Sequence, residues 1–327
     1  MSEVTILHLS DLHMEDTKLY DIDIILDALF KDLEELGKNN IKPDLVFFTG
    51  DFVKSGKNKK EFTLVRDKFV NPLLEKLRLK EDCFFFTIGN HDIDRDKWQP
   101  HEANGIRDTY KTFTKLNDFM ISLKLQTDRK YLNRSGNYIK FRGSFDYKNI
   151  KSETNKLFAV YKTEIKGIKF GIACLNSAWL AFGGREDKEK LLVSEYQIGS
   201  VIKKLDGCDI KIALMHHPLD WLVECDREAI SNRLPKEFAL LFTGHLHQTK
   251  PSMIQTPIGS FFHSEGGALF NEDRTFYHGY SILRLSDSNI TEVCFRKYFN
   301  EGARFDADTS ITPGGCRSWQ LEKKKLP

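Results

Sequence analysis

The chain has 327 residues, 40% of them hydrophobic and 12% aromatic, including 25 phenylalanines, which is enough apolar material for a sizeable core. Its 49 Lys and Arg nearly cancel 47 Asp and Glu, and the formal charge of +2 excludes a protein built around one basic nucleic-acid face or a polybasic membrane patch. The first residues lead straight into an apolar strand without a basic leader, and no apolar run is long enough to span a bilayer, so a cytoplasmic location without membrane attachment is expected.

In chain order, a strand is predicted over 4–10 and runs into Asp11 and His13. A helix over 21–38 follows, with Ile22, Ile25, Leu26, Leu29, Leu33 and Leu36 on one stripe and carboxylates on a solvated face. The strand 45–49 leads into Gly50 and Asp51, and a helix over 60–77 is interrupted or kinked at Pro72. The strand 83–88 leads into Gly89, Asn90 and His91. The stretch 98–150 breaks the rhythm, with a polar helical segment over 106–125, and reads as an inserted cap or loop region. A hairpin, 157–164 and 168–176, turns at Lys166 and Gly167.

A helix is then predicted from Ser194, taken as its N-cap, to about residue 205. The strand 210–215 ends at His216, and 238–243 ends at Gly244, His245 and His247. Strands over 260–263, 280–285 and 290–298 imply a second sheet. The domain so defined covers 1–300. Residues 301–327, with Pro313, Gly314 and Gly315, read as an extension or linker through which a partner protein or further domain would be joined. Six scattered cysteines without a C-x-x-C pair read as reduced.

Short apolar runs that stop at a polar residue describe strands buried on both faces, and in α/β sheets ligands gather beyond the carboxyl ends of such strands. Asp and His at alternate positions can share a metal, a carboxylate after Gly50 can bridge two cations, and Gly89-Asn90-His91-Asp92 sets an amide, an imidazole and a carboxylate on one tight turn. Other polar residues have plainer readings: His8 as a core residue, His217 as a neighbour of His216, His101 as surface, and Trp98 and Trp179 as packing. His263 and His278 lie near the last strands. Lys54, Lys57, Lys59, Lys60, Arg95 and Lys97 follow the motifs, either as a solvated loop or as a cationic rim.

Taken together, Asp11-x-His13, Gly50-Asp51, Gly89-Asn90-His91-Asp92, His216 and Gly244-His245-x-His247 resemble the calcineurin-like metallophosphoesterase family over 4 to about 285, outside the inserted stretch. The pattern is nearest to the cyclic-nucleotide phosphodiesterase and nuclease-like branches. The resemblance implies a four-layer α/β/β/α sandwich of two mixed β-sheets flanked by helices. It implies one divalent metal held by Asp11, His13, Asp51 and His247, and a second held by Asp51, Asn90, His216 and His245. Manganese is favoured over iron, zinc or nickel. Metal-activated hydroxide would attack phosphorus, His91 would serve the leaving group, and Asp92 would orient its ring. The expected function is a phosphodiesterase acting on a nucleotide, a cyclic nucleotide or a nucleic acid, since the arginine motifs usual in protein phosphatases are not found. A phosphomonoesterase of the same fold is the alternative, and a non-catalytic scaffold in a larger complex is the reading of a different class. The complete ligand set argues against the scaffold.

Overall fold

The computed structural model describes residues 3–97, 100–109, 111–125, 130–271, 278–286 and 289–320. Strands β1 (Glu3–Leu9), β2 (Leu45–Phe48) and β3 (Phe84–Phe86) run parallel. They are joined by α1 (Leu19–Lys38) and by a broken helix, α2 (Lys59–Leu64), a π-helical stretch (Val65–Val70) and α3 (Asn71–Leu77). The inserted stretch is mainly helical, with α4 (Pro100–Thr109), α5 (Phe113–Leu125), α6 (Lys130–Asn133) and α7 (Gly136–Arg142). Next come β4 (Lys151–Thr154), β5 (Phe158–Ile165), β6 (Ile168–Leu175), α8 (Ser194–Lys204), β7 (Ile210–Met215), α9 (Glu224–Glu237) and β8 (Leu240–Thr243). The chain continues through β9 (Lys250–Thr256), β10 (Gly259–Glu265), β11 (Gly279–Ser286), β12 (Asn289–Phe299), β13 (Arg304–Ala307) and β14 (Cys316–Trp319).

Two mixed seven-stranded sheets result, β13-β12-β11-β1-β2-β3 with β14 beside β12, and β4-β5-β6-β7-β8-β10-β9. The two-residue period of a strand sorts their side chains. Val4, Ile6, Leu45, Phe47 and Phe85 of the first sheet share a buried layer with Ile172, Ile212, Leu214 and Phe242 of the second. Their neighbours Leu7, Leu9, Val46, Phe48, Phe84 and Phe86 face outward into the layer that also holds Ile22, Leu26, Leu29 and Leu33 of α1. This is the expected α/β/β/α sandwich. With strands β1, β2, β3, β7 and β8 buried on both faces, every polar residue that follows them is forced to the same open edge.

Four expectations are corrected. The break in the second helix is the π-helical stretch Val65–Val70, which ends two residues before Pro72, and the chain continues in helical conformation through Pro72 of α3. Ser194 does not cap α8: its φ is +73°, and the amides of Val193 and Ser194 are capped instead by the buried carboxylate of Asp226 from α9. Within the described part of the segment after 300, residues 304–307 are not a linker, because β13 extends the free edge of β12 and buries Phe305 against Tyr280 and Tyr298. With Phe305 its only large apolar residue, β13 carries no hydrophobic run for sequence reading to detect. The cysteines are not all reduced: Cys294 of β12 and Cys316 of β14 are joined in a disulfide, while Cys83, Cys174, Cys208 and Cys225 are free. Among the described residues no helix is long and apolar enough to cross a membrane.

Asp32 departs from the solvated face assigned to the acidic side of α1. It is buried, and accepts hydrogen bonds from the Tyr280 hydroxyl and the Arg296 guanidinium, tying α1 to β11 and β12. Removing one partner of a buried pair leaves the other charge uncompensated, at ~3–5 kcal/mol. Asp32→Ala is therefore expected to lower the unfolding free energy by about that amount in urea titrations, and a change under ~1 kcal/mol would refute the clamp.

Candidate metal centre

The loops after β1 and β2 lie side by side and continue the pairing of their strands: Asp11 N donates to Gly50 O, Leu12 and His13 N to Asp51 O, and Met14 N to Phe52 O. Asp11, His13, Asp51, His245 and His247 all have positive φ, between 46° and 72°. Non-glycine residues rarely adopt such backbone, and its concentration at five motif positions marks a region where fold energy is spent on aiming side chains. The motif glycines permit the approach. A Cβ on Gly89 would fall 2.1 Å from Asp51 Oδ1, and one on Gly244 would fall 2.1 Å from Ser10 Oγ and 2.7 Å from Asp11 Oδ2.

All seven candidate ligands converge. His247 Nε2 lies 3.2 Å from Asp11 Oδ1 and 3.3 Å from His13 Nε2. His216 Nε2 lies 3.2 Å from Asp51 Oδ2 and 3.0 Å from Asn90 Oδ1, which in turn is 3.1 Å from His245 Nδ1. Donor atoms of Asp11, His13 and His247 fall within 4.8 Å of one another, as do those of Asp11, Asp51 and His216, so Asp51 stands between the two halves. The orienting contacts fall on the ring nitrogens that face away from the cluster. His216 Nδ1 donates to Thr49 O at 2.7 Å, and Asn271 holds His247 Nδ1 at 2.8 Å.

The electrostatics fit cations. Burial would raise the Asp11 carboxyl, but His247 and His216 hold it well below the usual carboxylate range, and His216 and His91 do the same for Asp51. Burial would lower His216, yet Asp51 and Asp11 push it up to about 9. Asp11 Oδ1 is buried and forms no well-aligned hydrogen bond, its polar neighbours being His247 Nε2 at 3.2 Å and His13 Nε2 at 3.8 Å. A charged oxygen in that state costs several kcal/mol or more unless a cation meets it, and oxygen and imidazole donors of this mixture suit divalent first-row metals. The residues present therefore fit the expected metals.

Asp92 has a different task from the one its position beside His91 suggested. Its oxygens accept the amides of Gly89 (2.8 Å), Asp51 (2.9 Å), Phe52 (2.8 Å) and Val53 (3.2 Å), and it makes no hydrogen bond to the His91 ring. The His91 ring is oriented by Lys54 instead, through a 2.9 Å contact from Nδ1 to the carbonyl oxygen. Both corrections have one cause: a tight turn throws adjacent side chains to opposite sides.

Of the remaining histidines, His8 is a satisfied core residue between Ser264 and Thr49, His263 contacts Thr243, and His278 is buried near β12. His101 is exposed, and His217 is fully buried beside His245. Trp179 is a packing residue with its indole N–H on Leu192 O, and Trp98 lies outside the described residues. The basic rim is largely neutralised: Lys57 pairs with Asp96, Lys60 with Asp16 and Lys97 with Asp94. Arg95 instead turns inward and donates to Asn90 O. Sequence reading missed Ser10, Thr49 and Asn271, single polar residues without a motif of their own that steady Asp11, His216 and His247.

Asp92→Asn is expected to lower both the melting temperature and the bound-metal content measured by elemental analysis, because an amide NH₂ would face backbone N–H groups and release the Asp51 loop. Unchanged values for both would return Asp92 to a role confined to His91.

Comparison with known proteins bears on the family and the fold. The family model described as calcineurin-like phosphoesterase matches residues 4–249. A search of curated proteins gave no significant match. Among solved structures, the purple acid phosphatase PPD1 from yellow lupin (Lupinus luteus) seeds is 13% identical with a TM-score of 0.52, covering 93% of this chain and 53% of that one. The Thermus thermophilus sulfate thiohydrolase SoxB is 12% identical with a TM-score of 0.47, covering 90% and 56%. The chain thus spans about half the length of these two proteins. Its matched motifs, its two-sheet sandwich and its converging Asp, Asn and His side chains place it in the calcineurin-like phosphoesterase family.

Proposed function

We propose that the chain is a phosphodiesterase whose substrate is a nucleotide, a cyclic nucleotide or a nucleic acid. Membership of the family supports a metal-dependent phosphoesterase in general. The observation that carries the reading is the meeting of six donor side chains around a seventh, Asp51, with His91 beside them, within reach of His13 and Asp51 and assigned here to the leaving group. Asp11, His13, Asp51 and His247 would hold one divalent cation, and Asp51, Asn90, His216 and His245 the other, with manganese the first choice. Such ions supply Lewis-acid polarisation of phosphoryl oxygens and lower the pKa of bound water.

The chain's own groups do the rest. The Asp51 carboxylate is fixed from behind, since its Oδ1 accepts the His91 amide at 2.7 Å. That bond also sets His91 at the open side of the centre, with its ring 4.6 Å from the His13 ring. Lys54 O can only accept, so the Nδ1 of His91 carries a hydrogen and Nε2 is the atom left to exchange a proton with a leaving-group oxygen. The leaving-group oxygen departs as an alkoxide from a monoester and a diester alike and takes that proton in either case, so the preference for a diester rests on the motif pattern alone.

Turnover of bis-(p-nitrophenyl) phosphate and of p-nitrophenyl phosphate, each with Mn²⁺, tests the reading, and preference for the diester is expected. His91→Ala should lose about 10²–10⁴-fold in rate and keep its metals, while Asp51→Asn should lose both rate and metals. A strong preference for the monoester would replace the phosphodiesterase reading with a phosphomonoesterase. Failure on both esters by the metal-loaded chain would favour a scaffold.

A further inference from the structure

Two hydrogen-bond donors beside the centre have no acceptor. Arg95 emerges from the loop after β3 and lays its guanidinium against the bare backbone of Gly183, where a Cβ would fall 2.8 Å from its Cζ. Gly183, with φ of 120°, is held in place by Asp187, which accepts the amides of Phe182 and Gly183 at 2.8 and 2.6 Å. One arm of Arg95 is used: Nε donates to Asn90 O at 3.0 Å, fixing the side chain to the backbone of a candidate ligand. The other arm is not. Nη2 is buried without a hydrogen-bond partner, and among the described residues Arg95 makes no ion pair.

His217, at the end of β7, is fully buried, and one of its ring nitrogens lies within 4.8 Å of donor atoms of His216 and His245. Its Nδ1 faces Ser177. The Ser177 hydroxyl oxygen accepts the His217 amide at 3.2 Å and lies 2.9 Å from Nδ1. With the Ser177 hydroxyl donating to Nδ1, the ring hydrogen sits on Nε2, and this is the tautomer the proposal uses. That Nε2 is buried and unpartnered as well. Trp221 packs on the ring of His217 at 5.8 Å and on that of His245 at 4.0 Å, so the imidazole cannot swing away without breaking the wall. Arg95 and His217 flank the same pair of candidate ligands, since Asn90, whose carbonyl holds Arg95, has its Oδ1 3.0 Å from His216 Nε2 and 3.1 Å from His245 Nδ1.

The Arg95 guanidinium feels the carboxylates of Asp51, Asp187 and Asp92 but none of them meets its buried Nη2, and a buried guanidinium nitrogen and a buried imidazole nitrogen left without partners each cost free energy unless an oxygen meets them. We propose that Arg95 and His217 together seat a phosphoryl oxygen of the substrate, at the side of the centre walled by Gly183 and Trp221. This assignment rests on the phosphoesterase reading for the identity of the anion, and adds two substrate-binding groups that the ligand motifs do not contain. Neither residue holds a metal in this scheme. A monoanionic phosphoryl group carried by an Arg and a neutral imidazole donor also fits a diester, which has one negative charge to place.

The test is inorganic phosphate binding to the Mn²⁺-loaded full chain by titration calorimetry, with metal content measured in parallel for the wild type, Arg95→Gln, Arg95→Lys and His217→Gln. Phosphate affinity is expected to fall roughly 10–100-fold in Arg95→Gln and about 10-fold in His217→Gln, with both metals retained. Arg95→Lys is expected to recover part of the loss, because it restores the charge without the fork, and it reads the same contact if Arg95→Gln fails to fold. Equal phosphate affinity in all four proteins, no phosphate binding by the wild type, or loss of a metal in His217→Gln would overturn the assignment. Ester turnover separates the two claims: phosphate binding that depends on Arg95 and His217 in a chain that cleaves neither ester sinks the esterase reading alone. Turnover by a chain whose variants bind phosphate normally sinks the oxygen seat alone.

Discussion

One buried carboxylate, Asp92, organises this molecule's open edge. By accepting the amides of Gly89, Asp51, Phe52 and Val53 it staples the loop after β3 to the loop after β2, and so fixes the carboxylate that stands between the two halves of the centre. Burial and the charge of Asp51 push Asp92 up to about 8, while the Gly89 and Val53 amides pull the other way. The four amides would otherwise be orphaned in a region closed to water. Positive φ at Asp51 is tolerable only because this clamp over-determines it.

The same logic extends to the other strands. The loop after β1 copies the path of its neighbour through four backbone hydrogen bonds, and Gly244 N donates to His216 O, which joins the loops after β7 and β8. The loops that carry Asp11, His13, Asp51, His216 and His245 are therefore joined by backbone pairing that continues buried strands, and some orphaned polar atoms fall where the side chains meet. Asp11 Oδ1 and His13 Nδ1 in the candidate ligand set, with Arg95 Nη2 and His217 Nε2 beside it, are buried and unsatisfied within one small region. Electrostatic preorganisation of this kind is paid for by folding and needs no rearrangement when charge arrives.

Much of this was legible in the sequence because the fold leaves it little choice. A strand apolar on both faces must be covered on both, and a polar residue directly after such a strand must surface at its carboxyl end; Asp11, Asp51, Asn90, His216 and His245 all obey that rule. What stayed hidden was contact between elements. Asp92 looked like the partner of the adjacent His91, whereas its acceptors' work lies about 40 residues back along the chain. Asp32 looked solvated on a helical wheel until Tyr280 and Arg296, about 250 residues on, came to lie over it. Asp226 capping α8 and the two short strands of the tail carried no local pattern either. His217 was recognised only as a neighbour of His216, since nothing in the sequence could show that Ser177 would meet its ring.

The central claim is that side chains brought together from five strand ends cage two cations about one shared carboxylate. Crystals soaked in manganese and measured at its absorption edge test it most directly. Two anomalous peaks are expected, one bounded by Asp11, His13 and His247 and the other by Asn90, His216 and His245, with Asp51 touching both. A single peak, or two that leave Asp51 uncoordinated, would contradict the account.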